Sequence, residues 1–450
     1  MTLGRDTDVI VVGAGISGVA VAHRMSTRHG LDVTLIDPRP PLTLTSDKST
    51  ECYRNWWPSA SMVGLMNRSI DLLEEMSQRS GNAFGLNRRG YLFVTGSEEQ
   101  LQEWRHRAPL TSSHGCGPVR EHVSADSYQP TPAGAMGPGL DGVDILTGKA
   151  LRAHFPYLTD DAVAALHVRR AGWLSAQQLG AWMLEEAKDH GLRHLVAEVV
   201  EVQERKGRIV GVETSTGESI ATDAVVNAAG PMAARVARMA GLDLRLRSEL
   251  HLKVAYRDHL GVVPRDAPML IWSDTQRLDW DQEEREALED VGRDDVLGEM
   301  PVFCHGRPEG GTDSPYFVAL WEYHKELQQP VWPLPVDDLY PEVVARGLST
   351  MIPGFGRYLD GLPQSVVDGG YYMKTEENRP LIGPAGPDGF YLACAYSGFG
   401  VMVAAGGADL VARHVIGDEL PDYASAFLID RYDDPDYMAE LASSADSGQL

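Results

Sequence analysis

The chain has 450 residues and a formal net charge of −24, from 40 basic and 64 acidic side chains, a field that argues against nucleic acid or an anionic membrane surface as partner. With 43% hydrophobic and 23% charged residues it has the composition of a folded globular protein of two or three domains. No apolar stretch approaches the roughly 18–20 residues that cross a bilayer, residues 1–8 carry no export pattern, and Cys52, Cys116, Cys304 and Cys394 form no CxxC pair, so a reducing cytoplasm is the expected compartment.

Residues 8–12 (DVIVV) predict a buried parallel strand that enters Gly13-Ala14-Gly15-Ile16-Ser17-Gly18 and then a helix. In such a turn Gly13 permits the tight bend, Gly15 lets the backbone approach a pyrophosphate and Gly18 lets helix pack on strand. The helix N-terminus, with Ile16 and Ser17, offers N–H groups to phosphate. A second strand over 32–36 ends at Asp37-Pro38, about twenty residues past the loop, where a carboxylate can bind a ribose diol. Strand, loop, helix, strand and acid in register predict a dinucleotide site.

Further along, residues 61–80 have helical apolar spacing, 90–95 a strand pattern, and 97–107 a polar helix capped by Ser97. Residues 108–142 read as a loop-heavy connection. Residues 175–190 predict a helix from a Ser175 cap to Gly191; 196–202 and 209–214 predict a hairpin; 224–230 (AVVNAAG) predict a second buried strand ending in small residues at Ala229 and Gly230. From 250 onward, strands over 250–256, 269–272, 302–304 and 316–321 suggest an antiparallel sheet with one covered face, His251 and Lys253 pointing to solvent. Residues 281–300 hold nine acids and two bases, a solvated helix or loop. A strand over 389–395 and a glycine-rich helix start at Ser397 follow, and the residues from 433 look frayed. The single GxGxxG near the N-terminus, with the small-residue strand at 224–230, favours FAD over a nicotinamide cofactor.

The chain resembles the D-amino-acid oxidase-like (DAO) family of FAD-dependent oxidoreductases. Its anchors are the run at 8–25, Ala171-Gly172-Trp173, the run at 223–242, RPEGG at 307–311, and GGYYMKTEENRPLIGPAG…AYSGFG over 369–400. The resemblance implies an α/β fold: a Rossmann-like FAD-binding domain assembled from 1–85, 150–245 and 366–432. A substrate domain with an antiparallel sheet is inserted as 86–149 and 246–365, and 433–450 is a tail. Carried over by position, Gly13, Gly15, Gly18 and Asp37 would hold the ADP half, and Ser49 and Thr50 the ribityl–pyrophosphate region. Val199 would meet adenine, Gly230 the phosphates, and Gly398, Gly400, Val401 and Met402 the flavin. Arg54 falls where sarcosine oxidases place an arginine near the ring, and Tyr372 resembles a tyrosine facing the substrate.

The implied reaction is hydride transfer from a carbon beside nitrogen to FAD, giving an imine, with oxygen or another acceptor reoxidising the flavin. Glu51 and His324 are further candidates for handling the amine proton. Departures from the family pattern are informative. Gly370 stands where sarcosine oxidases attach FAD to a cysteine, so the flavin is expected to be non-covalent. Met402 and Glu51 replace a lysine and an arginine of the carboxylate clamp, and Leu320 an oxygen-activating lysine. These changes, with Trp56-Trp57 close by, point to an amine larger than glycine or sarcosine, its carboxylate absent, masked or secondary to recognition; the alternative is that another basic residue, Arg54 or Lys374, has taken over the clamp. Two other readings are a flavoprotein scaffold with structural FAD and an FAD-dependent monooxygenase; the GD motif expected of the latter is absent.

Overall fold

The computed structural model describes residues 6–131, 141–311, 313–324 and 326–443. Residues 132–140 of the predicted 108–142 connection, and 444–450 of the predicted tail, lie outside the described residues.

A six-stranded sheet runs in the order Leu381–Pro384, Phe390–Cys394, Val225–Asn227, Val9–Val12, Val33–Asp37, Arg193–Val196. All neighbours are parallel except the edge pair 381–384/390–394. Strands buried on both faces read as continuous apolar runs, and VIVV has no exposed residue. Val9 and Val11 join the core beneath the helices Ile16–His23, Ala60–Arg79, Ala176–Asp189 and Gly400–Ile416. Ile10 and Val12 face the other way, onto a small antiparallel sheet of Val199–Arg205, Arg208–Thr214 and Ser219–Ala221. The predicted hairpin turns at Lys206-Gly207, both at positive φ.

The second body is a nine-stranded sheet in the order Ser365–Lys374, Arg247–Arg257, Tyr316–Leu320, Cys304–Glu309, Met269–Trp272, Tyr91–Thr95, Ala164–Val168, Val143–Thr147, Val119–His122. It is mostly antiparallel, but 269–272 runs parallel to 91–95 and 119–122 parallel to 143–147. Ala164–Val168 and Ser365–Lys374 pair in this sheet, although both lie within segments expected in the cofactor domain. The strand expected over 302–304 instead begins at Cys304, because Phe303 adopts a left-handed φ of 70° that breaks the ladder. Helix Tyr340–Met351 covers one face of the sheet.

The acidic stretch at 281–300 is the solvated helix and loop expected: helix Gln282–Asp290 is closed by an Asp281/Glu284 capping box, most of its acidic side chains are exposed, and Leu288 and Val296 anchor it while Arg346 and Arg293 pair with Glu284 and Asp295. One expectation is corrected. The chain beyond 433 forms a further helix, Pro435–Ser443, whose Tyr437 hydroxyl donates to Glu377.

Candidate active site

The glycine loop is shaped by backbone contact. Gly13 has φ of 104°, and a Cβ there would lie 2.6 Å from the Ala228 carbonyl oxygen; one on Gly18 would lie 1.8 Å from the Gly13 carbonyl oxygen. At Gly15 a Cβ would meet only Ser46 Oγ, at 3.3 Å. The Ile16 N–H donates to Ser46 Oγ (2.9 Å), and Asp37 accepts from the Ala14 N–H (2.8 Å) and the Arg39 N–H (2.8 Å). Each carboxylate oxygen retains a lone pair, so Asp37 can also accept from a ribose.

From this loop a cleft with about 910 Å³ of empty space runs between the two bodies. Gly13, Gly15, Ile16, Ser17 and Asp37 line one end, Ala229 and Gly230 the floor, Ser49 the strap, and Gly398, Gly400 and Val401 the far end with Tyr372. Gly18 acts behind the loop as a packing residue. Pro38, Thr50, Val199 and Met402 are not among the lining residues. Val199 is buried in the small sheet's core, and Met402 in the helix core, its carbonyl accepting from Ser69 Oγ. Lining residues that sequence reasoning missed are Leu42, Thr45 and Ser46 of the strap, Pro231, Tyr371, Met373 and Cys394. Left-handed φ at Leu42, Ala395 and Ser397 concentrates backbone strain at this cleft, as functional sites commonly do.

The residues fit a dinucleotide carrying a flavin: a phosphate cradle that a Cβ would fill, a fixed carboxylate at the ribose end, and a long trough leading to the start of helix Gly400–Ile416. Gly370 itself offers no thiol, and a Cβ there would stand 3.1 Å from Lys48 Cβ and from Thr45 Cγ2. Cys394 lines the trough, but burial pushes its thiol up to about 12.

Beyond the trough the nine-stranded sheet supplies charge. Tyr372 is buried and stacked on His251 (4.2 Å, 14°). His251 and Lys253 therefore do not point to solvent: His251 Nε2 lies 3.2 Å from Glu249, and Lys253 donates to the carbonyl oxygens of Asp47 and Ser49. The solvent expectation fails because this face of strand Arg247–Arg257 is covered by the strap from the other body. Glu249 also accepts from Lys374 (2.7 Å). Burial pushes Glu249 up, but the His251 and Lys374 hydrogen bonds outweigh it and bring the carboxyl down to about 2.

Arg54 is held by rings rather than by an acid: its guanidinium lies 4.3 Å from the Trp57 ring, 5.8 Å from Tyr91 and 5.9 Å from Phe93. Among the described residues no carboxylate pairs with it, and burial lowers its pKa. Glu51, at φ 54°, is fully engaged: Oε1 accepts from the Ala176 N–H (2.7 Å) at the start of helix Ala176–Asp189, and Oε2 lies 3.5 Å from the buried Arg307. His324 sits apart, 3.1 Å from Asp337 and stacked near Tyr323 and Tyr340. Trp56 and Trp57 are core residues, Trp57 also meeting Phe399 edge-on at 5.0 Å. Glu249 and Glu322 were missed in the sequence, since no local motif marks their meeting with Lys374.

A family model described as "FAD dependent oxidoreductase" (DAO) matches residues 8–414. Mitochondrial sarcosine dehydrogenase of Homo sapiens is 25% identical over 424 residues, covering 92% of this chain and 40% of that protein. Mitochondrial dimethylglycine dehydrogenase of Rattus norvegicus is 23% identical over 239 residues, covering 52% of this chain and 25% of that protein. The chain thus matches well under half the length of either curated relative. Among solved structures, L-proline dehydrogenase from P. horikoshii superposes with a TM-score of 0.73 at 21% identity, covering 96% of this chain and 99% of that one.

Proposed function

The chain belongs to the DAO family of FAD-dependent oxidoreductases, and on that premise we propose that it oxidises a C–N bond of an amine or amino-acid-derived substrate, using non-covalently held FAD. One observation carries the proposal: directly behind Tyr372 and Gly398, which line the end of the trough, lies a group of ionisable side chains, His251, Glu249, Glu322 and Lys374. Bound FAD would accept the hydride; the protein's task is placement, charge and exclusion of water.

Within that task Gly13, Gly15, Ile16 and Ser17 hold the pyrophosphate, Asp37 a ribose, and Gly398, Gly400 and Val401 the ring end. Tyr372, fixed by its stack on His251, forms a flat surface against which the substrate carbon lies. Arg54 has no carboxylate of its own among the described residues, so it takes an anionic substituent such as a carboxylate. Glu51 and His324 are positioning residues on this view, because their polar atoms are committed to Ala176 and Arg307 and to Asp337. The relatives are named for sarcosine, dimethylglycine and proline, which are N-substituted amino acids, and this supports a secondary or tertiary amine with a carboxylate for Arg54.

Anaerobic mixing of the FAD-loaded protein with a panel of primary, secondary and tertiary amines and amino acids tests the proposal. Loss of visible flavin absorbance with N-substituted members is expected, and Arg54→Gln should raise the concentration needed by carboxylated ones. A flavin that no amine reduces would refute it.

A further inference from the structure

Four ionisable groups lie behind Tyr372 and Gly398, next to the trough without lining it: Glu249, His251, Glu322 and Lys374. They do not share their partners equally. Lys374 Nζ is 2.7 Å from Glu249 and 3.8 Å from Glu322, and His251 Nε2 is 3.2 Å from Glu249. Glu249 thus neutralises the lysine and orients the imidazole. Glu322 keeps only the longer contacts, Oε2 to Lys374 and Oε1 to His251 Nδ1 at 3.4 Å. Of the two carboxylates, Glu322 is thus the one held less closely by its neighbours.

Its position places that carboxylate at the reacting end. Glu322 Oε1 is 3.9 Å from where a Cβ on Gly398 would stand, and the Tyr372 ring is 3.0 Å from the same point. Gly398 and Tyr372 both line the trough. The Glu322 side chain is 36% exposed, open to an incoming group although it sits among buried neighbours. Burial pushes its carboxyl up, but His251, Lys374 and His305 pull it below the usual carboxylate range, so it is charged at neutral pH.

We propose that Glu322 is the anchor for the protonated nitrogen of the substrate, holding a cationic amine over Tyr372 beside Gly398. That role rests on the amine-oxidising reading above and names its anchoring residue. His251 and Lys374, tied to Glu249, set the direction of the carboxylate, and the Tyr372 face supplies a cation–π surface.

Tetramethylammonium carries the charge but has no lone pair on nitrogen, so it binds without being oxidised. The FAD-loaded protein is titrated at constant ionic strength with tetramethylammonium chloride and, separately, with sodium acetate, following the flavin difference spectrum and tryptophan fluorescence. Wild type should saturate with both. Glu322→Gln should weaken the cation about tenfold or more while acetate stays within about twofold, with Glu322→Asp between, as expected when one charged contact is lost. Flavin content and thermal midpoint check each variant, and Glu322→Asp carries the comparison should Glu322→Gln not fold. Equal cation affinity in the variants overturns the anchor, as does a wild type that is reduced by amines yet ignores the cation; both leave the amine-oxidising reading standing. A flavin reduced by no amine, in a protein binding neither ion, removes both.

Discussion

At Gly13 and Gly18 an added methyl group meets backbone, at 2.6 Å and 1.8 Å, whereas at Gly15 it meets only the Ser46 hydroxyl at 3.3 Å. Gly18→Ala should therefore destabilise the apoprotein by about 1–3 kcal/mol, the usual cost of overpacking. Gly15→Ala should fold with a near-normal thermal midpoint yet purify largely colourless, because its methyl intrudes on the pyrophosphate rather than on the protein. Flavin-to-protein absorbance ratios and melting curves of the two variants separate these effects; a fully yellow Gly15→Ala would contradict the phosphate placement. These glycines were legible in the sequence because their spacing encodes a local turn. Glu51 and Glu322 were not. Glu51 caps a helix that begins 125 residues later, and Glu322 comes beside the trough only through sheet pairing that brings residues 247–257, 316–320 and 365–374 together.

Several helices of the cofactor-binding body are tied by single buried ionisable groups. Asp409, 3% exposed, receives Arg24, Arg68 at 3.0 Å and Arg413 at 3.2 Å, from three separate segments. Burial alone would raise this carboxyl, but the guanidinium groups lower it. Asp409→Asn should cost about 1–3 kcal/mol, since it leaves the partly exposed guanidinium groups of Arg24, Arg68 and Arg413 without their counter-ion; the urea midpoint measures this. His23 links helix Ile16–His23 to helix Ala176–Asp189 through Glu186, Nε2 to Oε2 at 2.6 Å. Burial first, then Arg79, Arg24 and His190, lower its pKa to about 4. The folded value lies below the ordinary 6.5, so the unfolded chain binds the extra proton. The stability tied to neutral His23 is complete above pH 6.5 and is lost as pH falls towards 4, about 3 kcal/mol in all at about 1.4 kcal/mol per pH unit. Denaturant midpoints at pH 7 and pH 5 should differ in that direction, and His23→Gln should flatten the difference. An unchanged slope would show that His23 is not the titrating group. The helices themselves were readable from spacing and from the Ser97 and Ser175 caps, both seen accepting their predicted backbone N–H. The polar knots between them depend on three-dimensional neighbours that no single segment encodes.

Across the whole molecule, the trough exists because two sheets are threaded through one another. The chain leaves the six-stranded sheet after Asp37, supplies the strap at 42–49, and re-enters near the cleft with Tyr371-Tyr372-Met373 and again at Gly398. The α/β class and the separated segments were legible, since the GxGxxG run and the C-terminal SGFG are local signatures. The covered face of strand Arg247–Arg257 was not, because alternation reveals two faces without saying which one another body will cover. Gly370, which offers no thiol where sarcosine oxidases attach the flavin, predicts that acid precipitation releases all the flavin into the supernatant. Colour retained in the protein pellet would contradict a non-covalent cofactor.

The central claim is that a hydrogen on the carbon beside nitrogen leaves with its electron pair for the flavin. Its most direct measurement is anaerobic stopped-flow with an amine that reduces the flavin, in normal form and deuterated at that carbon. Flavin reduction should slow several-fold with deuterium, with one carbonyl product formed per flavin reduced. Identical rates with no carbonyl product, or no reduction by any C–N substrate, would contradict it.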